Sequence, residues 1–311
     1  MLENLIFILS KTVPVFLVIG IGYLLRRIKL MNDLAVGVLT TITYNVALPV
    51  LIFTSIIKYD FREVLNWGSI AASFLGIAFA ALTAFLLTKI LRIDVHRAGA
   101  FMLASFRSNT AFVGFPILLS IYGQLALAKS SVVVGFLTAP VLIATVYILK
   151  KFSSEPQSGA KINLFILLDP LIIASFLGLL VSFLKLKLPE PVLSFMDMLA
   201  SMGIPLALIS IGASFQFRKI KDQIALLSVS TFLKLIVLPL TIFLLSVYVF
   251  KLPAMDRNVV IASFMTPVAV SSFIFVRQYR SDSEFMASAL IFSTLISIFT
   301  ITFWLYFLSF I

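Results

Sequence analysis

The chain is 311 residues long, 61% hydrophobic and only 12% charged, with a mean hydropathy of +1.14. Soluble domains are about 45–50% apolar and about 25% charged, so this composition excludes a water-facing globular fold and marks an integral membrane protein. Cysteine is absent and His96 is the single histidine, which excludes disulfides, thiol catalysis, cysteine metal sites and an HExxH site, and no cofactor is expected. The net charge of +11 lies in short loops between apolar runs, the pattern of membrane topology rather than of nucleic-acid binding.

A spanning helix needs about 20 mostly apolar residues. Ten candidates follow in chain order: 5–26, 34–57, 65–88, 98–121, 126–149, 164–185, 192–215, 223–249, 257–279 and 285–309. The first lacks a basic leader and a small-residue cleavage site and reads as a retained helix. In the second, Asn45 lies four residues before Pro49, placed either to reach a cavity or to satisfy a kinked backbone. The fourth carries Arg107, Ser108, Asn109, Thr110, Gly114 and Pro116 in "RSNTAFVGFPILLSIYG", where polar groups cost most. A polar linker, 150–161, separates two halves, 1–149 and 162–311, of five predicted helices each. Asp169 before Pro170 has the form of an N-cap followed by proline at the first helical position. Asp197, two turns into the seventh predicted helix, is either interfacial or a proton carrier. Lys234, deep in the eighth, is a structural or coupling charge unless it snorkels. The ninth is interrupted by "FMTPVAVSSF", which supplies Thr266, Pro267, Ser271 and Ser272.

The odd-numbered loops hold fourteen Lys and Arg residues and the even-numbered loops seven, which places the odd loops in the cytoplasm and both termini outside. Pro14 and Pro170, Gly22 and Gly178, Lys29 and Lys185, and Pro49 and Pro205 are each separated by 156 positions, and "ASF" recurs at 104–106 and 262–264. Duplication of a unit with an odd number of spans inverts the second copy, the architecture of secondary transporters with a midplane site. The recurrence also aligns Asn109 with Pro267.

Proline removes a backbone donor and clashes with the preceding turn, so Gly114, Pro116 and Pro267 are expected to break the fourth and ninth helices as crossing hinges. The freed groups need protein, water or a solute as partners, and half-helix N-termini bring partial positive charge to mid-membrane. Asn109 is the expected main anchor of an anion there, with Ser108, Thr110, Thr266, Ser271 and Ser272 as further contacts, although each hydroxyl can instead bond its own preceding carbonyl. Arg107 either pairs with the anion, neutralises protein groups or lines a water-filled cavity. No carboxylate falls at mid-depth on the fourth or ninth helix, so sodium coupling there is not expected.

At these residues the sequence resembles the auxin efflux carrier family, whose plant members are the PIN-formed carriers. "NTAFVGFPILLSIYG" and "PVAVSSFIFVRQY" are similar to the family's fourth- and ninth-helix patterns, and "ALPVLIF" and "PLALISIGASF" to its second and seventh helices. The resemblance implies ten helices in inverted repeats with helices 4 and 9 crossed. It also implies an elevator-like motion of helices 3–5 and 8–10 against a scaffold of helices 1, 2, 6 and 7, a possible scaffold-mediated homodimer, and carriage of organic anions. It places the residue corresponding to Asn109 against the substrate carboxylate. Ser108 stands where the plant carriers have proline, and their long cytoplasmic loop is absent, which points to a microbial relative moving another carboxylate. The expected function is therefore export or exchange of small organic anions across the cell membrane, with an anion channel of the same fold as the alternative. A membrane-embedded enzyme would need paired acids, a deep histidine or a metal cluster, none of which the sequence offers at depth.

Overall fold

The computed structural model describes residues 2–152, 168–215 and 223–311. Among them the chain is all-helical: α1 (Leu2–Arg27), α2 (Asp33–Ile57), α3 (Trp67–Ile90), α4 (Val95–Phe106), α5 (Thr110–Lys151), α6 (Pro170–Phe183), α7 (Glu190–Ala213), α8 (Ile224–Val249), α9 (Ala254–Phe264), α10 (Ser271–Gln278) and α11 (Ser283–Leu308). Seven helical stretches are long and apolar enough to cross a membrane, with outward-facing Ile, Leu, Phe and Val along α1, α3, α7 and α8. Of the predicted linker, residues 153–161 lie outside the described residues. So do 164–167 of the sixth predicted helix, and the loop cations Lys161, Arg218, Lys219 and Lys221.

α5 is too long to be one span. Its 42 residues would reach about 63 Å at about 1.5 Å each, twice the roughly 30 Å hydrocarbon core. Gly123, with φ 78° and ψ −168°, divides it, in a region of backbone space that is essentially glycine's alone. The predicted fourth and fifth helices therefore meet at Gly123.

The predicted fourth and ninth helices are both interrupted, but not where glycine and proline alone would place the breaks. The first gap is 107–109, between α4 and α5; Gly114 and Pro116 lie beyond it, in the first turns of α5. The second gap, 265–270, separates α9 from α10 and includes Pro267. The two gaps pair with each other as a short antiparallel bridge centred on Ser108 and Val268. Asn109 N–H donates to Pro267 O at 2.9 Å, and Ala269 N–H donates to Arg107 O at 3.0 Å. Backbone released from one helix thus finds its partners in the other, which is how non-helical chain persists at membrane depth.

Pro49, Pro116 and Pro239 are accommodated differently. Each follows a π-helical turn, Thr43–Ala47, Thr110–Gly114 or Leu233–Val237, that ends two residues earlier. The amides of Leu48, Phe115 and Leu238 reach back five residues, widening the helix where proline has no N–H to give. At Pro239 the carbonyl left without its helical donor is that of Leu235, and Trp304 Nε1–H of α11 takes it at 2.9 Å.

Two groups of helices pack tightly within themselves. α1 lies on α7, and α2 lies on α6 and α7; α3 packs on α4 and α8, α5 on α9, and α4 and α8 on α11; the two groups meet where α5 packs on α6 and α2, and where α11 packs on α1. The α1–α7 crossing brings backbone to backbone: a Cβ at Gly22 would overlap the Ile209 carbonyl, and one at Gly212 the Ile19 carbonyl. The described residues with left-handed φ form three pairs at nearly constant separation: Lys29 and Lys185, Arg92 and Lys251, and Gly123 and Arg280, 156, 159 and 157 positions apart. α4 and α9 end at Phe106 and Phe264, 158 positions apart.

Candidate functional site

A cavity of about 890 Å³ lies against the paired gaps. It runs from Arg107, Ser108 and Asn109 past Tyr44, Asn45 and Ser271 to Asp33, Asp169, Arg277 and Ser283. The far end is therefore set by the ends of α2, α6, α10 and α11, on the side of the odd-numbered loops.

Arg107 is 7% exposed and ends α4 in an extended conformation. Its Nη2 donates to Ser271 Oγ at 3.0 Å, and its guanidinium lies over the Phe275 ring, 4.9 Å from the centroid. Nη1 is buried with no hydrogen-bond partner among the described residues. Asn109 is 5% exposed; its carbonyl accepts the amides of Val113 and Gly114, so its backbone starts α5 while its side chain, which makes no hydrogen bond to the described residues, lines the cavity. The first-turn amides of α5 lack helical acceptors, and Thr110, Ala111 and Phe112 line the same wall.

The remaining predicted contacts divide. Ser108 lines the cavity, its hydroxyl 3.4 Å from Phe264 O, and Thr110 lines it while donating to Ser263 O at 2.8 Å. Asn45 lines it and donates to Thr41 O at 2.9 Å within α2. Thr266 and Ser272 are fully buried and are not cavity walls: Thr266 donates to Ser263 O, and the Ser272 hydroxyl is without a partner. Pro267 acts through its carbonyl, on Asn109. Gly114 faces Thr266, Ser263 and Thr110, where a Cβ would come within 3.3–3.5 Å, so it lets α5 approach the second gap. Pro116 is buried at the start of the regular part of α5.

The two charges proposed for coupling sit elsewhere. Lys234 is fully buried outside the cavity, and its ammonium donates to Phe264 O at 2.8 Å. That carbonyl ends α9, so the lysine caps the negative end of a half-helix dipole. Asp197 pairs with Lys58 at 2.9 Å, both about half exposed, between α7 and the end of α2.

Sequence reasoning missed Tyr44, whose hydroxyl donates to Asp169 Oδ2 at 2.6 Å, and Phe275. Asp169 caps α6 through Oδ1, which accepts Leu171 N–H at 2.9 Å, so both of its oxygens are engaged. Position beside Asn45, in the turn before Pro49, was the available signal for Tyr44. Among the described residues no group of three or more His, Asp or Glu is placed to hold a metal.

Residues 7–305 match the family described as membrane transport protein. The chain is 26% identical over 301 residues to an uncharacterized transporter of Methanocaldococcus jannaschii, covering 93% of this chain and 95% of that one. It is 26% identical over 307 residues to a candidate malonate transporter of Rhizobium meliloti, covering 96% and 95%. It is also 24% identical over 302 residues to the lysosomal cholesterol signaling protein of Mus musculus, covering 89% of this chain and 34% of that one.

Proposed function

The chain belongs to the membrane transport protein family, the auxin efflux carrier-like family, whose members are transporters and not enzymes, and from that premise we propose that it carries small carboxylates by alternating access. The observation that carries this reading is the cavity at the paired gaps, with the Arg107 guanidinium, the Asn109 amide and the first turn of α5 along one wall. Those groups are cationic, donating or dipole-positive, and together they recognise an oxyanion. The malonate assignment of the Rhizobium relative agrees with that chemistry.

In this reading the chain has ten spans in two inverted halves, 1–149 and 162–311, joined by the linker 150–161. The fourth span is α4 with α5 as far as Tyr122, and the ninth is α9 with α10. The pairs Lys29 with Lys185 and Arg92 with Lys251, 156 and 159 positions apart, support the duplication, since a positive φ that recurs in register is difficult to obtain twice by chance. The group α1, α2, α6 and α7 serves as the scaffold and, as a homodimer, as the contact between copies. The group around α3, α4, α5, α8, α9, α10 and α11 carries the solute as an elevator. With the basic loops cytoplasmic and both termini outside, the cavity is reached from the cytoplasm of a cell-membrane protein.

Reconstitution tests this. Purified protein in vesicles should take up radiolabelled carboxylate with saturation, faster when unlabelled carboxylate is trapped inside. Flux that rises without saturation and ignores trapped solute would mean a channel, and no carboxylate flux would reject the reading.

A further inference from the structure

We infer that Arg107 and Asn109 form a two-point clamp that selects short dicarboxylates over monocarboxylates. The inference rests on the carboxylate-carrier reading and names the substrate class for the same site.

In the gap 107–109 Arg107 is extended, Ser108 is bridged to Val268, and Asn109, with φ −88° and ψ 54°, turns into α5. Arg107 and Asn109 both line the cavity, while the hydroxyl of the intervening Ser108 turns toward Phe264 O at the end of α9. Two donor side chains, one charged and one neutral, thus open on the same cavity wall, and a diacid has a carboxylate for each.

The two points are built differently. At Asn109 the side chain makes no cap hydrogen bond to α5 and has no partner among the described residues, and the first-turn amides of α5 stand beside it. At Arg107, Ser271 occupies Nη2 and Phe275 covers one face of the guanidinium, so the ion is positioned before any solute arrives. Nη1 remains buried and unpartnered, a costly state for a charged donor. Asp169, across the cavity with its carboxylate on Leu171 N–H and the Tyr44 hydroxyl, makes no ion pair with Arg107 among the described residues and does not resolve it. A small adjustment of the arginine onto an entering carboxylate does. A monocarboxylate meets one of the two points and leaves the other open, whereas a short diacid meets both.

Binding to the purified, detergent-solubilised full chain tests the clamp, with malonate and succinate compared with acetate and propionate by calorimetry. The wild type should bind the diacids at least about tenfold more tightly. Arg107→Gln should bring malonate to within about threefold of the affinity of acetate, because a single point then remains for either acid. Arg107→Lys, which keeps the charge but loses the planar fork, should fall between them. Acetate bound as tightly as malonate by the wild type would overturn the clamp whether or not the variants fold. So would a loss in Arg107→Gln that is equal for both acids. A wild type that binds none of the four acids overturns the carrier reading as well, which separates the two failures.

Discussion

Replacing Gly212 with alanine adds one methyl group where two helices touch through their backbones. The new Cβ would overlap the Ile19 carbonyl oxygen and stand 2.7 Å from Tyr23 N and 2.8 Å from the Ile19 carbonyl carbon. Ordinary carbon contacts lie at about 3.5–4.0 Å, so α1 must retreat by roughly 1 Å. No side-chain rotation relieves this, because every near atom is main chain. A gap of about 0.5–1 Å already forfeits a quarter to a half of a contact's dispersion energy. Ile8, Val15 and Ile19, the buried apolar residues of α1, lose that share together. Overpacking of this kind costs typically about 1–3 kcal/mol, and the backbone contact places Gly212→Ala at about 3 kcal/mol. At about 2–4 °C per kcal/mol, the unfolding midpoint in detergent should fall by roughly 6–12 °C. Gly20→Ala is the control: it lies on α1, the helix that Gly212 crosses, with nothing within 4 Å of its Cβ, and should be neutral or slightly stabilising. Midpoints measured by fluorescence-detected size exclusion after heating decide the matter. A Gly212→Ala protein as stable as the wild type would refute the close crossing and the reasoning built on it.

Asn109→Ala should reach the membrane folded but bind its carboxylate about tenfold to a hundredfold more weakly, as loss of a donor to a charged acceptor requires; unchanged affinity in the same calorimetric titration would make the residue structural only. Gly123→Ala should destabilise by about 1–3 kcal/mol although nothing crowds the site, because its backbone lies where a side chain is rarely tolerated; an unshifted thermal midpoint would contradict that. Trp304→Phe leaves the Leu235 carbonyl without either a helical or an indole donor and should lower stability by about 1–3 kcal/mol, whereas an equal midpoint would mean the bond carries nothing. Single cysteines introduced into this cysteine-free chain at residues 3 and 155 should react with an impermeant maleimide from opposite faces of sealed vesicles, and same-side labelling would reject the inverted topology.

The spans were legible because a membrane leaves an apolar run of fixed length, and Asn109 stood out because amides are rare inside one. The break itself was misplaced toward Gly114 and Pro116. Its position is set by pairing with residues 267–269, and a hydrogen bond formed across 158 positions leaves no mark in local propensity. The π turns were hidden for a related reason: proline announces that a helix is disturbed, not whether it breaks, as at Pro267, or widens, as before Pro49 and Pro239. Lys234 was legible as a charge deep in an apolar run, with snorkelling and an internal role both open; its contact depends on where α9 ends, and that is fixed by the second gap. The recurrence of Lys29 at Lys185 was visible as identity. That both take a positive φ, and that Arg92 with Lys251 does likewise, required the backbone.

The bridge between the gaps also sets a schedule for synthesis. Arg107 O waits for the amide of Ala269, and the amide of Asn109 waits for Pro267 O. At about 5–20 residues per second, a ribosome needs roughly 8–30 s to make the intervening stretch. Inserted alone during that time, the first half would carry an arginine and unpaired peptide groups into hydrocarbon. A ribosome-stalled chain ending before residue 265 should therefore keep its fourth segment at the insertion machinery or in water, and settle it into lipid only when the ninth segment arrives.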